Sequence, residues 1–196
     1  MNNMKKFLLI ILSFACLVPP ATAADKCTAG NCVNGKGTMV YSTGQTYTGE
    51  FKDGVRNGEG VLLLPGSRKI VGIWENDEIK EGTSTQSDGT IYKGHWMFRE
   101  RNGQGTMIYP DGRKYTGEFK SDQRHGQGTM IYPDGRKYVG EFQYGERNGH
   151  GTLTYPDGRK YIGEFKDGEK NGQGVWVYPD GKKLEGTFKN GEFVGK

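Results

Sequence analysis

Apolar and polar residues alternate along short segments that recur through most of the chain. In one segment, YIGEFK, alternation places Tyr161, Gly163 and Phe165 on the same face of a strand. Gly163 leaves a gap between the two rings, into which a neighbouring ring can pack. A second segment, GVWVY, places Trp176 and Tyr178 together on one face. This period of two predicts paired β-strands, each with one buried face.

The same pattern returns every 23 residues. The unit that begins at Tyr161 reads YIGEFKDGEKNGQGVWVYPDGKK, and similar units begin at Tyr115 and Tyr138. Pro-Asp-Gly at 179–181 is typical of a type I turn that ends in a left-handed glycine. Asp-Gly at 167–168 and Asn-Gly at 171–172 tolerate positive φ and predict the opposite turn. Each unit is therefore predicted to be a β-hairpin that packs on its neighbours.

Together these features resemble the MORN repeat, a 23-residue β-hairpin unit that occurs in tandem. The shared pattern is Y-x-G-E-F, a turn, N-G-x-G, a second apolar run and P-D-G. It extends over 47–196, with units that begin at Tyr47, Ile70, Tyr92, Tyr115, Tyr138 and Tyr161 and a partial unit from Leu184. Such repeats occur in scaffold proteins, beside catalytic domains and in bacterial envelope proteins. The resemblance therefore implies an architecture and does not specify a reaction.

Successive hairpins joined by tight turns predict an all-β fold, an elongated, twisted, antiparallel single-layer sheet. We expect roughly 14 strands, which at about 4.8 Å per strand extend for some 60 to 70 Å. Rows of aromatic side chains must form its core because aliphatic residues are few. The unit from Ile70 is the most degenerate: Trp74 replaces Phe, Lys80 replaces a glycine, and the unit is one residue shorter.

Residues 1–23 have the three parts of a secretory signal peptide. Two lysines precede the apolar run 7–18, and Ala-Thr-Ala at 21–23 forms a small-x-small cleavage site. The apolar run is shorter than the roughly 20 residues that a membrane anchor needs. A lipoprotein site at Cys16 is the other alternative, but Ser13 stands where such sites usually carry Leu. We expect cleavage near Ala23 and export to the periplasm or the extracellular space.

Residues 24–46 are predicted to be an N-terminal cap with a half-repeat. They contain Cys27 and Cys32, which in an exported chain are expected to form a disulfide that holds the first edge of the array. A redox or metal pair is the alternative. However, Cys-x4-Cys is not the usual redox spacing, and neither a second cysteine pair nor a nearby histidine completes a zinc site.

Composition and motifs argue against several functions. Without residues 1–23 the chain has 25 Lys and Arg against 23 Asp and Glu, which is not the charge of a nucleic-acid binder. His95, His125 and His150 occupy three different repeat positions and are interpreted as scattered surface residues. A chance metal site at His125 and His150, which lie near the same rim in adjacent units, is the alternative, but we predict no metal. Because G-x-S-x-G and a strand-to-helix phosphate loop are both missing, we predict no catalytic residues and no cofactor. Acids recur at one repeat position, where we expect cross-strand charge pairing; these are Glu50, Glu118, Glu141 and Glu164.

Two rows of recurrent side chains are candidate binding surfaces. An aromatic row is expected to form the core and, where a single-layer sheet leaves it open, to bind a peptide or glycan. This row consists of Tyr92, Tyr115, Phe119, Tyr138, Phe142, Tyr161, Phe165 and Trp176. A basic rim offers a surface for anionic lipid, although acids in each repeat partly neutralise it. This rim consists of Arg113, Lys114, Arg136, Lys137, Arg159, Lys160, Lys182 and Lys183.

The sequence predicts a non-enzymatic, exported scaffold that binds a protein or peptide through several weak contacts. Two alternatives remain: a surface-binding module for anionic lipid or cell-wall polymer, and an accessory to a separately encoded enzyme. The final strands, within 187–194, leave an edge that invites self-association.

Overall fold

A computed structural model describes residues 24–196 as one antiparallel β-sheet. The predicted signal peptide, residues 1–23, lies outside the described residues. The strands are β1 (Lys26–Gly30), β2 (Gly35–Val40), β3 (Thr46–Lys52), β4 (Val55–Leu63), β5 (Lys69–Glu75), β6 (Glu78–Thr85), β7 (Ile91–Met97), β8 (Glu100–Ile108), β9 (Lys114–Lys120), β10 (Gln123–Ile131), β11 (Lys137–Gln143), β12 (Glu146–Thr154), β13 (Lys160–Lys166), β14 (Glu169–Val177), β15 (Lys183–Lys189) and β16 (Glu192–Gly195).

Each strand pairs with the strands before and after it in the chain, from β1 to β16, so the sheet is an open meander. The all-β prediction is confirmed, but residues 24–196 form 16 strands where roughly 14 were expected. The cap accounts for part of the difference, because its cysteine-containing segment forms a strand of its own, β1. At about 4.8 Å between neighbours, the strands span about 70 Å. Within residues 24–196 no helix is long and apolar enough to cross a bilayer.

The core is a ladder of tyrosine and phenylalanine rings along the axis of the array. Tyr115 in β9 is fully buried, and its ring meets Phe119 edge-on at 5.1 Å between centroids. Phe142 of the following repeat contacts the other side of Tyr115 at 4.9 Å, and it also contacts Tyr138 of its own repeat at 5.2 Å. Phe119, Phe142 and Phe165 therefore each bridge two repeats, in the edge-to-face geometry that aromatic pairs favour.

Paired glycines make room for each tyrosine ring. Gly117 and Gly128 are register partners in β9 and β10. A Cβ on Gly128 would lie 2.5 Å from the Tyr115 ring, and one on Gly117 would lie 2.7 Å from the Tyr115 hydroxyl. The hydroxyl donates a hydrogen bond to the Glu118 carbonyl at 2.8 Å. The gap that we expected a neighbouring ring to fill is thus occupied by the tyrosine of the same unit.

The Pro-Asp-Gly turn is formed as predicted. Gly181 N donates to the Tyr178 carbonyl and Tyr178 N donates to the Lys182 carbonyl, both at 2.9 Å. Gly181 has φ +83°, the left-handed conformation that closes a type I turn with a bulge.

The opposite end of the hairpin differs in part from the prediction. Asp167 and Gly168 form a two-residue turn with φ of 51° and 83°, as expected for a hairpin of this length. Asn171 and Gly172, however, lie inside β14 and do not form the turn. They belong to a bulge, because the register between β13 and β14 shifts around Glu164. Extra residues in one strand bend it and increase its local twist.

The N-terminal cap contains the expected disulfide between Cys27 and Cys32, whose Cα atoms are 6.0 Å apart. Cys32 is buried at the first end of the core. A Cβ on Gly37 would lie 2.8 Å from its sulfur, so the cysteine covers the glycine of the first half-repeat.

Candidate functional site

Most of the predicted aromatic binding face is inaccessible. Seven of its eight residues have a relative exposure of 3% or less: Tyr92, Tyr115, Phe119, Tyr138, Phe142, Tyr161 and Phe165. The rings form the core, as expected. Because they are buried, they do not provide the contact surface that the sequence predicted. Each tyrosine of this row packs against its glycine pair and contacts the phenylalanine of the next repeat. Only Trp176 is partly exposed, with its ring 5.3 Å from that of Tyr155.

A second row of tyrosines remains partly exposed, and we call it the tyrosine row. Its members each precede a Pro-Asp-Gly turn; they are Tyr109, Tyr132, Tyr155 and Tyr178. In three of the four repeats the arginine that follows the turn stacks on this ring. Arg113 lies 4.8 Å from the Tyr109 centroid, and Arg136 lies 4.9 Å from that of Tyr132. The motif Y-P-D-G-R therefore presents a ring and a guanidinium together.

The arginines of the predicted basic rim are paired with acids. Arg113 Nε lies 2.7 Å from Asp111 Oδ2, and the same pair recurs between Arg136 and Asp134 at 2.6 Å. The backbone N–H of Arg113 and its guanidinium hold the pKa of Asp111 below the ordinary range. Equivalent pairs are Arg159 with Asp157 and Lys182 with Asp180. The rim residues Lys114, Lys137, Lys160 and Lys183 follow as exposed residues at the start of strands.

The recurrent acids have a structural function that sequence reasoning missed. Glu118 Oε1 accepts a hydrogen bond from Gln127 N at 3.0 Å, across the bulge of its own hairpin. Glu141 accepts from His150 N at 2.9 Å and Glu164 from Gln173 N at 3.0 Å. These carboxylates therefore cap bulges; the expected cross-strand charge pair is formed by Glu50, which lies 3.5 Å from Lys36.

A row of cations that connects successive repeats was also missed. Each member is the second residue of the strand that follows the hairpin turn, namely β4, β8, β10, β12 or β14. The members are Arg56, Arg101, Arg124, Arg147 and Lys170. Arg56 Nε lies 2.9 Å from Asp77 Oδ1 in the next hairpin turn, and its guanidinium is 4.5 Å from the Trp74 ring centroid. Arg124 and Arg147 donate instead to carbonyls of the next turn. The recurrence of a cation after the hairpin turn, in every full unit except the degenerate one, was the sequence signal for this row.

Burial governs the electrostatics of the core. Desolvation raises the pKa of Tyr47, Tyr92 and Tyr161 to about 12. Desolvation also raises the pKa of Tyr115 and Tyr138. These hydroxyls are therefore held neutral as hydrogen-bond donors. In the part of the chain that the structure describes, no three His, Cys, Asp or Glu residues form a group that could hold a metal ion.

A family model described as the MORN repeat matches seven stretches of the chain. They are residues 34–46, 47–66, 92–112, 115–135, 138–158, 161–183 and 185–196. The chain belongs to the MORN repeat family. The MORN matches omit residues 67–91, which contain the unit in which Trp74 replaces Phe and Lys80 replaces a glycine.

Solved structures show similarity in fold. One is the TCP domain of SAS-4 (dCPAP) from Drosophila melanogaster, in complex with a proline-rich motif of Ana2. It is 15% identical, with a TM-score of 0.53, over 88% of this chain and 97% of that domain. Another is the G-box domain of the microcephaly protein CPAP, 21% identical with a TM-score of 0.50, over 85% of this chain and 100% of that domain. No curated protein matches the chain.

Proposed function

We propose that this MORN protein is an exported, non-enzymatic scaffold that binds an extended protein or peptide partner along the tyrosine row. The observation that carries the proposal is a row of partly exposed tyrosines, Tyr109, Tyr132, Tyr155 and Tyr178, on one open sheet. Aromatic rings at regular spacing give an extended ligand several weak contacts whose effects combine. The buried core rings hold the array rigid.

The spacing of the row favours a polyproline II peptide. Successive tyrosines are two strands apart, which is about 9.6 Å. Three residues of a polyproline II helix advance about 9.3 Å. Every third residue of such a peptide, lying across the strands, would therefore meet another ring. The Drosophila domain with a similar fold was solved with a proline-rich motif, and this supports the same class of partner here.

Peptide binding is tested by fluorescence anisotropy with a labelled 12-residue polyproline peptide and a Gly-Ser peptide of equal length. The matched variant is Tyr132→Leu with Tyr155→Leu, because Leu64 naturally occupies this repeat position. Loss of two central rings should weaken binding by about tenfold or more. Equal affinity of both peptides, or of both proteins, would contradict the proposal.

A capture experiment from envelope extract, with residues 24–196 as bait, distinguishes the partner classes. A defined protein retained at high salt supports the scaffold. Recovery of only anionic lipid or wall polymer, lost as salt rises, would favour the surface-binding alternative, since screening weakens exposed charge pairs. If the bait captured a second copy of this chain, the result would favour pairing at the β16 edge, where Val194 is exposed.

Export is part of the proposal and rests on the signal-peptide pattern of residues 1–23. The disulfide between Cys27 and Cys32 supports it, because such bonds persist in oxidising compartments. Mass spectrometry of the secreted protein should give Ala24 as the first residue. An intact N-terminus on protein recovered from the cytoplasm would contradict export.

A further inference from the structure

A cavity of about 140 Å³ lies where the degenerate unit meets its neighbours, and residues of the units that begin at Tyr47, Ile70 and Tyr92 line it. Its walls are mostly apolar and include Leu64, Trp74, Ile79 and Trp96. The volume is close to the ~150 Å³ of an apolar cavity that holds a benzene molecule. This space is separate from the tyrosine row, so the inference does not depend on the proposed function.

Substitutions away from the repeat pattern shape the cavity. Leu64 stands where other units carry the larger ring of Tyr109, which leaves room beside the turn. Ile79 stands at the position of Arg101, so the cation that crosses to the next hairpin turn elsewhere is replaced by an apolar wall. Both changes make the walls of this space more apolar than in the regular repeats, where Tyr109 and Arg124 line the equivalent space.

The same junction leaves an arginine without its usual acid. In regular units Arg113 binds Asp111 within the turn. The corresponding arginine, Arg68, follows Pro-Gly-Ser, so Gly66 stands at the position of that acid. Arg68 Nε is buried, and among residues 24–196 it has no hydrogen-bond acceptor. A buried donor without a partner costs free energy unless a ligand or water satisfies it.

Trp96, which also lines the cavity, has a buried donor without an acceptor in the described part of the chain as well. Trp96 is 5% exposed, and its indole Nε1 also has no acceptor within residues 24–196. Trp74 differs, because its Nε1 donates to the Gly60 carbonyl at 3.4 Å. Two residues that line one cavity, Arg68 and Trp96, therefore each carry a buried donor without an acceptor among residues 24–196.

The charged side chains that line the cavity indicate the charge of its ligand. Among the residues that the structure describes, three arginines line the cavity and no acid does so. Arg56 is paired with Asp77, whereas neither Arg68 nor Arg99 forms an ion pair within the described residues. Guanidinium groups bind carboxylates through charge-assisted hydrogen bonds. We propose that this cavity binds a carboxylate carried by a small apolar group, with the guanidinium group of Arg68 as the donor.

The test uses phenylacetate as the probe and phenylacetamide as the uncharged control. Trp74 and Trp96 line the cavity, and the remaining tryptophan is removed by Trp176→Leu, since Leu153 occupies that position in the preceding repeat. Phenylacetate should change the fluorescence saturably, and phenylacetamide should bind at least about tenfold more weakly. No saturable change, or equal binding of both probes, would overturn the proposal.

Two variants assign the binding to Arg68. The double variant Gly66→Asp with Ser67→Gly gives this turn the regular Pro-Asp-Gly-Arg sequence and supplies the missing acid. It should preserve the melting temperature or raise it, and it should weaken phenylacetate binding about tenfold or more. Arg68→Gln tests the same donor without changing the turn. Unchanged affinity in the folded Arg68→Gln variant would exclude the proposed site.

Discussion

Arg101 joins its own repeat to the next one by binding Asp122, with 2.7 Å between Nε and Oδ1. The same carboxylate oxygen accepts a hydrogen bond from Arg101 N at 2.9 Å. Asp122 N donates in return to the Arg101 carbonyl at 3.1 Å. Repeats are thus held together by side chain and backbone at the hairpin tips as well as by the ring ladder.

Replacing the acid in this connection should destabilise the array. Asp122 has φ +66° and is about half exposed. Asp122→Ala loses the ion pair and places alanine in the left-handed region, so we expect a loss of about 1 to 2 kcal/mol in the free energy of unfolding. Asp122→Gly is the control, because Gly145 occupies this position in the next repeat and Arg124 binds its carbonyl. Urea denaturation should rank glycine above alanine; the reverse order would contradict this account.

Replacing a glycine of one of the glycine pairs should destabilise the fold through a steric clash and not through backbone strain. Gly128→Ala would bring a Cβ within 2.5 Å of the Tyr115 ring, and such overpacking costs about 1 to 3 kcal/mol. Gly181→Ala is the comparison, since φ is +83° there and no atom lies within 4 Å. It should cost about 1 kcal/mol from backbone strain alone. Thermal melts that show equal losses would argue against the packing of Tyr115 over its glycines.

The tyrosine core can be tested by removing two rings together. Tyr138→Ser with Tyr161→Ser should abolish cooperative unfolding, because each large aromatic truncation costs about 3 to 5 kcal/mol. Tyr138→Phe keeps the ring and loses only the hydrogen bond to the Glu141 carbonyl at 2.9 Å. That single change should cost about 1 kcal/mol. A double variant that retains folding and its melting temperature would contradict the assignment of this row to the core.

The buried tyrosines also predict alkaline unfolding. Burial raises the pKa of Tyr47, Tyr92 and Tyr161 to about 12 from 10.0. Below pH 10 their contribution to stability is fully present, since both folded and unfolded states carry the neutral phenol. As pH rises from 10 to 12 the unfolded state ionises first, and each such tyrosine lowers stability by about 1.4 kcal/mol per pH unit.

This loss is checked by urea titration at successive pH values, with tyrosinate absorbance recorded on the same samples. Ionisation of the five buried tyrosines should coincide with loss of β-sheet circular dichroism. Full ionisation of all 11 tyrosines in a folded sample would show that the rings are accessible to solvent.

The acids that cap the bulges give a further prediction. Glu141→Ala removes the acceptor of His150 N and should cost about 0.5 to 1.5 kcal/mol. Glu141→Gln retains an oxygen at the same position, so it should lose less than half as much. Equal destabilisation by the two variants would show that charge, and not the hydrogen bond to the bulge, accounts for the effect.

The sequence by itself determined the paired strands of the repeat unit, the repeat period and the Pro-Asp-Gly turns. These features depend on residues that are close in the chain: alternation in YIGEFK places Tyr161 and Phe165 on one face, and Gly181 adopts the positive φ of its turn. The cysteine pair was predictable for the same reason, because only four residues separate the partners. Local chemistry is therefore sufficient for the hairpin and its cap.

Only the tertiary structure decided which surfaces are accessible. Whether Tyr138 faces a partner or the core depends on the glycines beneath it and on Phe165 of the next repeat, which covers its ring. The bond between Arg101 and Asp122 and the cavity beside Arg68 likewise arise where separate strands meet. Alternation states which face a side chain occupies, but burial depends on what packs against that face across neighbouring repeats.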